Sequence, residues 1–189
     1  MASMPVEMKG APDAAAIVPT KGMQLFCRVI ADPLDSISFL VQEDKVGVAT
    51  QNAEIFARLI DGDFPQYAAV VPAQCANRIE ADADVLAQKL RLVSNVSGDE
   101  TRAVRLKMQG EQLELFGRSA GRGEATAYLE ASFDGPTGEI AFNPDYVLEG
   151  LKNGAPERVV LEFQERTSPG KFTLGENHVY VVMPITLDA

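Results

Sequence analysis

The sequence predicts an α+β fold in which one unit, strand–helix–three strands, is used three times. Helix-start signals recur near Thr20, Asp82 and Asn143, and a spacing of roughly 60 residues marks a repeat architecture. Each signal opens a short run of helical periodicity, followed by three strand-type runs separated by Gly- or Asp-containing turns. A single unit has one apolar sheet face and one short helix, so two units must pair to close a core. Three units leave one over.

In chain order, Pro5–Lys9 and Ala14–Pro19 read as strands. Thr20 is the expected N-cap of a helix carrying Met23, Phe26 and Ile30, with Leu25 and Val29 beside them. Asp32-Pro33 stops it. Strands are expected at Ser36–Gln42, Lys45–Thr50 and Asn52–Ile60. The joint is Leu59-Ile60-Asp61-Gly62-Asp63-Phe64-Pro65-Gln66-Tyr67, running on to Val70-Val71-Pro72. Asp61-Gly62-Asp63 is a turn signal, and Pro65 blocks a sheet ladder. Phe64, Tyr67, Val70 and Val71 are too apolar for a free linker, so the segment is expected to lie packed. It is either a covered crossover within one fold or the joint between two domains.

The second round has a strand at Asn77–Ala81 and a helix capped by Asp82-Ala83-Asp84, carrying Val85, Leu86, Leu90, Leu92 and Val93 and ended by Gly98-Asp99-Glu100. Strands follow at Ala103–Gln109, Gln112–Ser119 and Glu124–Phe133, with turns at Gly110-Glu111 and Gly121-Arg122-Gly123. The third has a strand at Gly138–Phe142 and a helix opened by Asn143-Pro144-Asp145, with Asn as cap and Pro at the first helical position. That helix carries Tyr146, Val147, Leu148 and Leu151 and ends at Asn153-Gly154. Strands close the chain at Arg158–Gln164, Gly170–Leu174 and His178–Ile185.

The 189 residues are 46% hydrophobic, enough for a sizeable core, with no apolar run near the roughly 18 residues of a membrane span. Met1-Ala2-Ser3-Met4 has no basic region leading into an apolar run, so no signal peptide is read. Cys27 and Cys75 stand far apart without partner histidines, which predicts two reduced, mostly buried thiols in a cytoplasmic protein. The formal charge of −10 argues against gripping nucleic acid by bulk charge and leaves room for a local basic strip. No catalytic constellation is present. His178 stands alone beside a strand, no P-loop occurs, and Asp82 and Asp84 sit at a helix start, where carboxylates act as caps. The expectation is a non-enzyme without metal or cofactor.

In the tail, Val179, Val181 and Met183 fall on one strand face, Val182 on the core face, and Pro184 ends the strand. Met suits a surface that must fit several ligands, because its side chain is flexible and polarizable. Asn143 and Tyr146 have alternative readings, as an N-cap and as a core aromatic.

Three runs carry a resemblance: Leu59 to Tyr67, Phe142-Asn143-Pro144-Asp145-Tyr146-Val147-Leu148, and Tyr180-Val181-Val182-Met183-Pro184-Ile185-Thr186-Leu187. In that order and spacing they resemble the bacterial DNA polymerase III beta sliding clamp, over essentially the whole chain. The resemblance implies the DNA-clamp fold, with antiparallel sheets outside and helices on the DNA side. Residues 1–64 match the second half of the clamp's middle domain, and residues 65–189 match its C-terminal domain. Met1-Ala2-Ser3 reads as an internal or engineered start. The implied function is a replication processivity factor with no catalysis of its own, closed as a ring around double-stranded DNA. Its partners would be DNA polymerase III, other clamp-binding proteins and the clamp loader. An alternative is a truncated regulatory or structural fragment that binds peptides or clamp subunits without encircling DNA.

Carried over position by position, the peptide-binding groove comprises Pro65, Val70, Asn143, Tyr146, Val181, Met183, Pro184, Ile185 and Leu187. DNA-facing candidates are Lys21, Arg28, Lys89, Arg91 and Lys152. Leu92 and Val93 match the ring interface. The unit left over, with Leu25, Phe26, Val29, Ile30, Phe39, Val48 and Phe56, is expected to present apolar surface and to form a homodimer through residues 1–60.

Overall fold

The computed structural model describes residues 16–30, 36–64, 66–97, 102–136 and 138–186. The readings at Pro5–Lys9, Asp32-Pro33, Pro65, Gly98–Glu100 and Leu187 lie outside them. The chain divides into two compact units, one within residues 6–65 and one within 66–189.

In the smaller unit, helix α1 (Thr20–Val29) lies on an antiparallel sheet of β1 (Ser38–Val41), β2 (Lys45–Ala49) and β3 (Glu54–Arg58). Its core is small: Phe26, Val46 and Val48 are buried, with Val18, Val41, Ile55, Ala57 and Leu59 packed on them. Gly22 lets α1 approach the sheet, since a Cβ there would stand 2.8 Å from that of Ala57. Thr20 is not the N-cap. Pro19 holds that position and no side chain caps the helix, because the fixed extended conformation of proline already turns the chain into the helix. Of the apolar residues expected to lack cover, Phe26 and Val48 are in fact core, whereas Leu25, Phe39 and Phe56 are each over 40% exposed.

The larger unit is one eight-stranded antiparallel sheet with two helices. In chain order its elements are β4 (Asn77–Asp82), α2 (Ala83–Ser94), β5 (Val104–Gln109), β6 (Gln112–Ser119), β7 (Gly123–Asp134), β8 (Glu139–Phe142), α3 (Pro144–Gly154), β9 (Arg158–Phe163), β10 (Gly170–Thr173) and β11 (Val179–Val182). The strand order is β11-β10-β9-β4-β7-β6-β5-β8. The two repeats interlock: β4 pairs with β7 of its own repeat and β9 of the other, and β8 pairs with β5 across the repeats. Strand alternation and helix periodicity deliver Ile79, Leu106, Leu113, Leu115, Ile140, Phe142, Leu161 and Phe163 to the same core as Leu86, Leu90, Val93, Val147 and Leu151.

Both helix starts follow the sequence. Asp82 accepts from the Val85 N–H at 2.9 Å, and Asn143 accepts from the Asp145 N–H at 3.0 Å. The end of α3 does too, at Asn153-Gly154, although the left-handed residue is the next one. Gly154 is the last helical residue, and Ala155 takes the left-handed conformation with φ 41°. Packing claims the glycine, because a Cβ on Gly154 would stand 2.7 Å from the Cβ of Leu174. A non-glycine residue in that conformation carries roughly 1–2 kcal/mol of strain. Ala155→Gly should therefore raise stability by up to about 1 kcal/mol after the unfolded-state entropy of glycine is counted. Urea unfolding with an unchanged slope checks it, and a loss of stability would contradict the strain assignment.

Candidate functional site

The tail is where the larger unit is left unfinished. By the pairing of β4 with β7, β11 would be expected to pair with β8. It ends at Val182 instead, four residues long against twelve for β7. Pro184 has no N–H to continue a ladder. One bond bridges the gap, from the Ile185 N–H to the Ala141 carbonyl at 2.8 Å. The expected strand His178–Ile185 is thereby cut short, and Met183 lies beyond the strand rather than in it.

That bond sets Met183–Ile185 beside the β8–α3 junction. Two residues past Ala141, Asn143 caps α3, and Tyr146 follows on the first turn. Helix α3 also packs on β11, where the Tyr180 ring fills the space over Gly150, 2.6 Å from where a Cβ would stand. Burial, then Glu149 and Tyr146, push the Tyr180 phenol up from its ordinary range, so it stays protonated at neutral pH. Met183 is 61% and Tyr146 54% exposed. Tyr146 is therefore not a core aromatic, while Asn143 is indeed the cap. Val181, Pro184 and Ile185 are half-buried. The bond thus places Met183–Ile185 beside the junction that carries Asn143, while α3, which carries Tyr146, packs on β11, which carries Val181.

On the other side of the tail lies a cavity of about 130 Å³, lined by Arg105, Glu139, Ile140, Ala141, Arg166, Thr167, Ile185 and Thr186. Of these only Ile185 is among the candidates the sequence yields. Arg105, Arg166 and Thr167 carry no motif that would have found them, because the bridging bond that shapes the cavity joins residues 44 apart in sequence.

Val70 follows a 3₁₀ turn (Tyr67–Ala69) and is 55% exposed, as are Phe64 at 63% and Tyr67 at 47%. Val71, beside them, is half-buried.

The cationic candidates separate by helix position. Arg28, Arg91 and Lys152 each stand in the last turn of their helix, where a cation complements the helix dipole and needs no ligand to explain it. Lys21 stands in the first turn of α1, where the dipole disfavours it and no acidic residue of that turn offsets it. Lys89 and Arg91, two residues apart, lie on opposite flanks of α2 at 3.6 residues per turn. Asp84 on α2, and Asp145 and Glu149 on α3, offset the three cations of those helices, so this helix layer carries no net positive charge. Arg102 pairs with Asp145. At the matched ring interface, Leu92 is 57% exposed and offers surface. Val93 does not: it is fully buried and packs against Gly117, where a Cβ would meet it at 2.8 Å. Its helix position, three residues past Leu90, turns it into the core.

The thiols are not mostly buried as expected: Cys75 is only half-buried and Cys27 is exposed. Burial first, then Glu162, raises the Cys75 thiol above its ordinary value. Among the described residues no group of three or more His, Cys, Asp or Glu is placed to hold a metal, and no helix is long and apolar enough to cross a membrane.

The architecture, interlocked strand–helix–three-strand repeats under paired helices, is that of a DNA sliding clamp. The solved structure of the sliding clamp from Pseudomonas aeruginosa matches 91% of this chain and 48% of its own, with a TM-score of 0.85 at 24% identity. The sliding clamp from Bartonella birtlesii, solved with griselimycin, matches 93% of this chain at the same score. Sequence establishes the family. Residues 68–186 match the C-terminal domain of the DNA polymerase III beta subunit, and residues 1–66 match its central domain. The chain belongs to the DNA polymerase III beta subunit family. The beta sliding clamp of Salmonella typhimurium is 28% identical over 187 residues, covering 98% of this chain and 51% of that protein. That of Chlamydia muridarum is 27% identical over 171 residues, covering 90% and 46%. The chain spans about half the length of the curated relatives it matches.

Proposed function

We propose that this chain is the peptide-binding part of a sliding clamp, a non-catalytic processivity factor that tethers DNA polymerase III and other replication or repair proteins to double-stranded DNA. It is supported by the Ile185–Ala141 bond, which draws the tail to β8, and by the exposure of Tyr146 and Met183, in a chain of the clamp family. Short apolar peptides are the proposed ligands of Val70, Asn143, Tyr146, Val181, Met183, Pro184 and Ile185. Pro65 and Leu187 join them by family position. The clamp loader is a further proposed partner, the cytoplasm the proposed location, and non-specific DNA contact the proposed role of the helix cations. Leu92 is the proposed ring contact. A second copy of the chain is the proposed partner of residues 1–60.

A fluorescent peptide with a Gln-Leu-x-Leu-Phe core, titrated by anisotropy, tests the peptide site. Met183→Ala should weaken binding by about 5- to 10-fold, a loss of roughly 1–1.4 kcal/mol. Leu92→Ala, on α2, should leave it unchanged. Binding that survives both Met183→Ala and removal of residues 184–189 would refute the site.

The second reading is a regulatory or structural fragment that binds the same peptides or clamp subunits without encircling DNA. The two part on retention. A ring holds circular DNA through moderate salt, whereas the fragment releases it, because its few phosphate contacts are screened.

A further inference from the structure

Helix α3 meets the β10–β11 hairpin along one ridge. Tyr146, Gly150 and Gly154 are four apart in sequence and so fall in a single row on the helix surface. Gly150 is buried inside α3, where glycine costs stability relative to alanine because it gives up more backbone freedom on folding. Its surroundings account for it. A Cβ on Gly150 would stand 2.6 Å from Cδ1, 2.8 Å from Cε1 and 3.1 Å from Cγ of Tyr180. The ring therefore lies directly against the helix backbone. One turn on, a Cβ on Gly154 would stand 2.7 Å from the Cβ of Leu174 and 3.1 Å from Nδ1 of His178.

The hairpin side of this seam is a single piece. Gly170 stands opposite Val182 and Thr173 opposite Val179, and beyond that ladder the Leu174 N–H donates to the His178 carbonyl at 2.9 Å. Strand alternation turns Tyr180 and Val182 to the core side and Val181 to the other face. Tyr180 stands opposite Phe172, whose ring meets Phe142 edge-on, and Phe142 leads into the cap of α3. Three residues past β11, Ile185 is tied to Ala141. The seating of β11 on α3 therefore sets where the tail runs relative to Tyr146. Burial first, then Glu149 and Tyr146, raises the Tyr180 phenol, so Tyr146, at the exposed end of the ridge, lies within electrostatic reach of it.

We propose that Tyr180, seated on Gly150, is a positioning residue for the peptide groove. Its ring is the spacer that sets α3, with Tyr146, against β11 and the tail Met183–Ile185. It acts through those residues, by the bulk of the ring and not by its hydroxyl. The inference rests on the reading of this site as a peptide groove and adds the residue pair that fixes the groove's spacing.

Anisotropy titration of a fluorescent Gln-Leu-x-Leu-Phe peptide on the full chain, with far-UV circular dichroism to check the fold, tests the seam from both sides. Gly150→Ala drives a methyl group into the ring and should weaken binding by about fivefold or more, the size of losing one good contact. Tyr180→Ala removes the spacer and should weaken it to a like degree. Tyr180→Phe keeps the ring and should bind as the unaltered chain does. Leu113→Ala truncates a buried side chain on β6, outside the seam. It should lower stability and leave affinity unchanged, which separates spacing from stability. If the unaltered chain binds and neither Gly150→Ala nor Tyr180→Ala moves the affinity, the positioning role is overturned and the groove stands. Tyr180→Phe losing as much as Tyr180→Ala overturns it too, because the hydroxyl would then be what matters, and so does an equal loss in Leu113→Ala. No binding by the unaltered chain overturns the groove reading and the inference with it.

Discussion

Phe142→Ala should lower the stability of the larger unit by about 3–5 kcal/mol, the loss typical of a fully buried phenylalanine. Phe142 is 0% exposed and meets Phe172 edge-on, with ring centroids 5.4 Å apart at 62°. Gly170 is the reason the ring fits, because a Cβ there would stand 2.4 Å from its Cζ. The surrounding strands are held by their ladders, including Val104 opposite Phe142, so the site cannot collapse and most of the cavity would remain. The full chain has two units and one unfolding curve need not be two-state. Amide exchange in β5 and β8 should therefore be read beside urea unfolding. Phe64→Ala, at a 63% exposed position, is the control and should cost far less. A loss below about 1 kcal/mol at Phe142 would mean the core relaxes in a way this packing does not allow. The same substitution bears on function. Phe142 lies between Ala141, which anchors the tail, and Asn143, which caps α3, so loosening it should weaken peptide binding without touching any proposed contact residue.

Elements whose logic is local were legible in the sequence. β2, β5 and β6 and the caps at Asp82 and Asn143 fall where alternation and cap chemistry place them. What could not be read was set by distant partners. Gly154 ends α3 as read, but its packing on Leu174 leaves the left-handed position to Ala155, which nothing in the sequence marks. Val93 and Leu92 are neighbours in sequence and both apolar. Only the close approach of Gly117 on β6 shows that one is core and the other surface. Tyr146 reads equally well as core or ligand contact until α3 is seated on the sheet. The tail's role needed the Ile185–Ala141 bond, and the cavity beside it needed Arg105 and Arg166 from two different repeats. The family match supplied the names of the groove positions, and the larger unit shows that Tyr146 and Met183 are exposed while Val181, Pro184 and Ile185 are half-buried.

Lys21→Glu should move DNA binding and stability in opposite directions. Most of the helix cations are ambiguous, because a basic residue in a last turn stabilises its own helix. Lys21 is not, since it opposes the dipole of α1 and faces no acidic residue in that turn. Its reversal should stabilise the chain by about 0.3–1 kcal/mol at low salt. If α1 faces phosphates, the same change should weaken affinity for a short duplex and make the slope of log affinity against log salt less negative by about 1. Arg28→Glu is the counterpart. It sits in the last turn, so it should lose stability by a similar amount as well as affinity. Lys152→Glu, on a helix whose acids already outnumber its cations, should change DNA affinity least. Thermal unfolding and anisotropy with a labelled duplex, both at low salt, read the two effects separately. Lys21→Glu with stability raised and the salt slope unmoved would leave α1 without a phosphate contact. Stability lowered by the same reversal would show that Lys21 is held by a partner within the fold and carries no information about DNA.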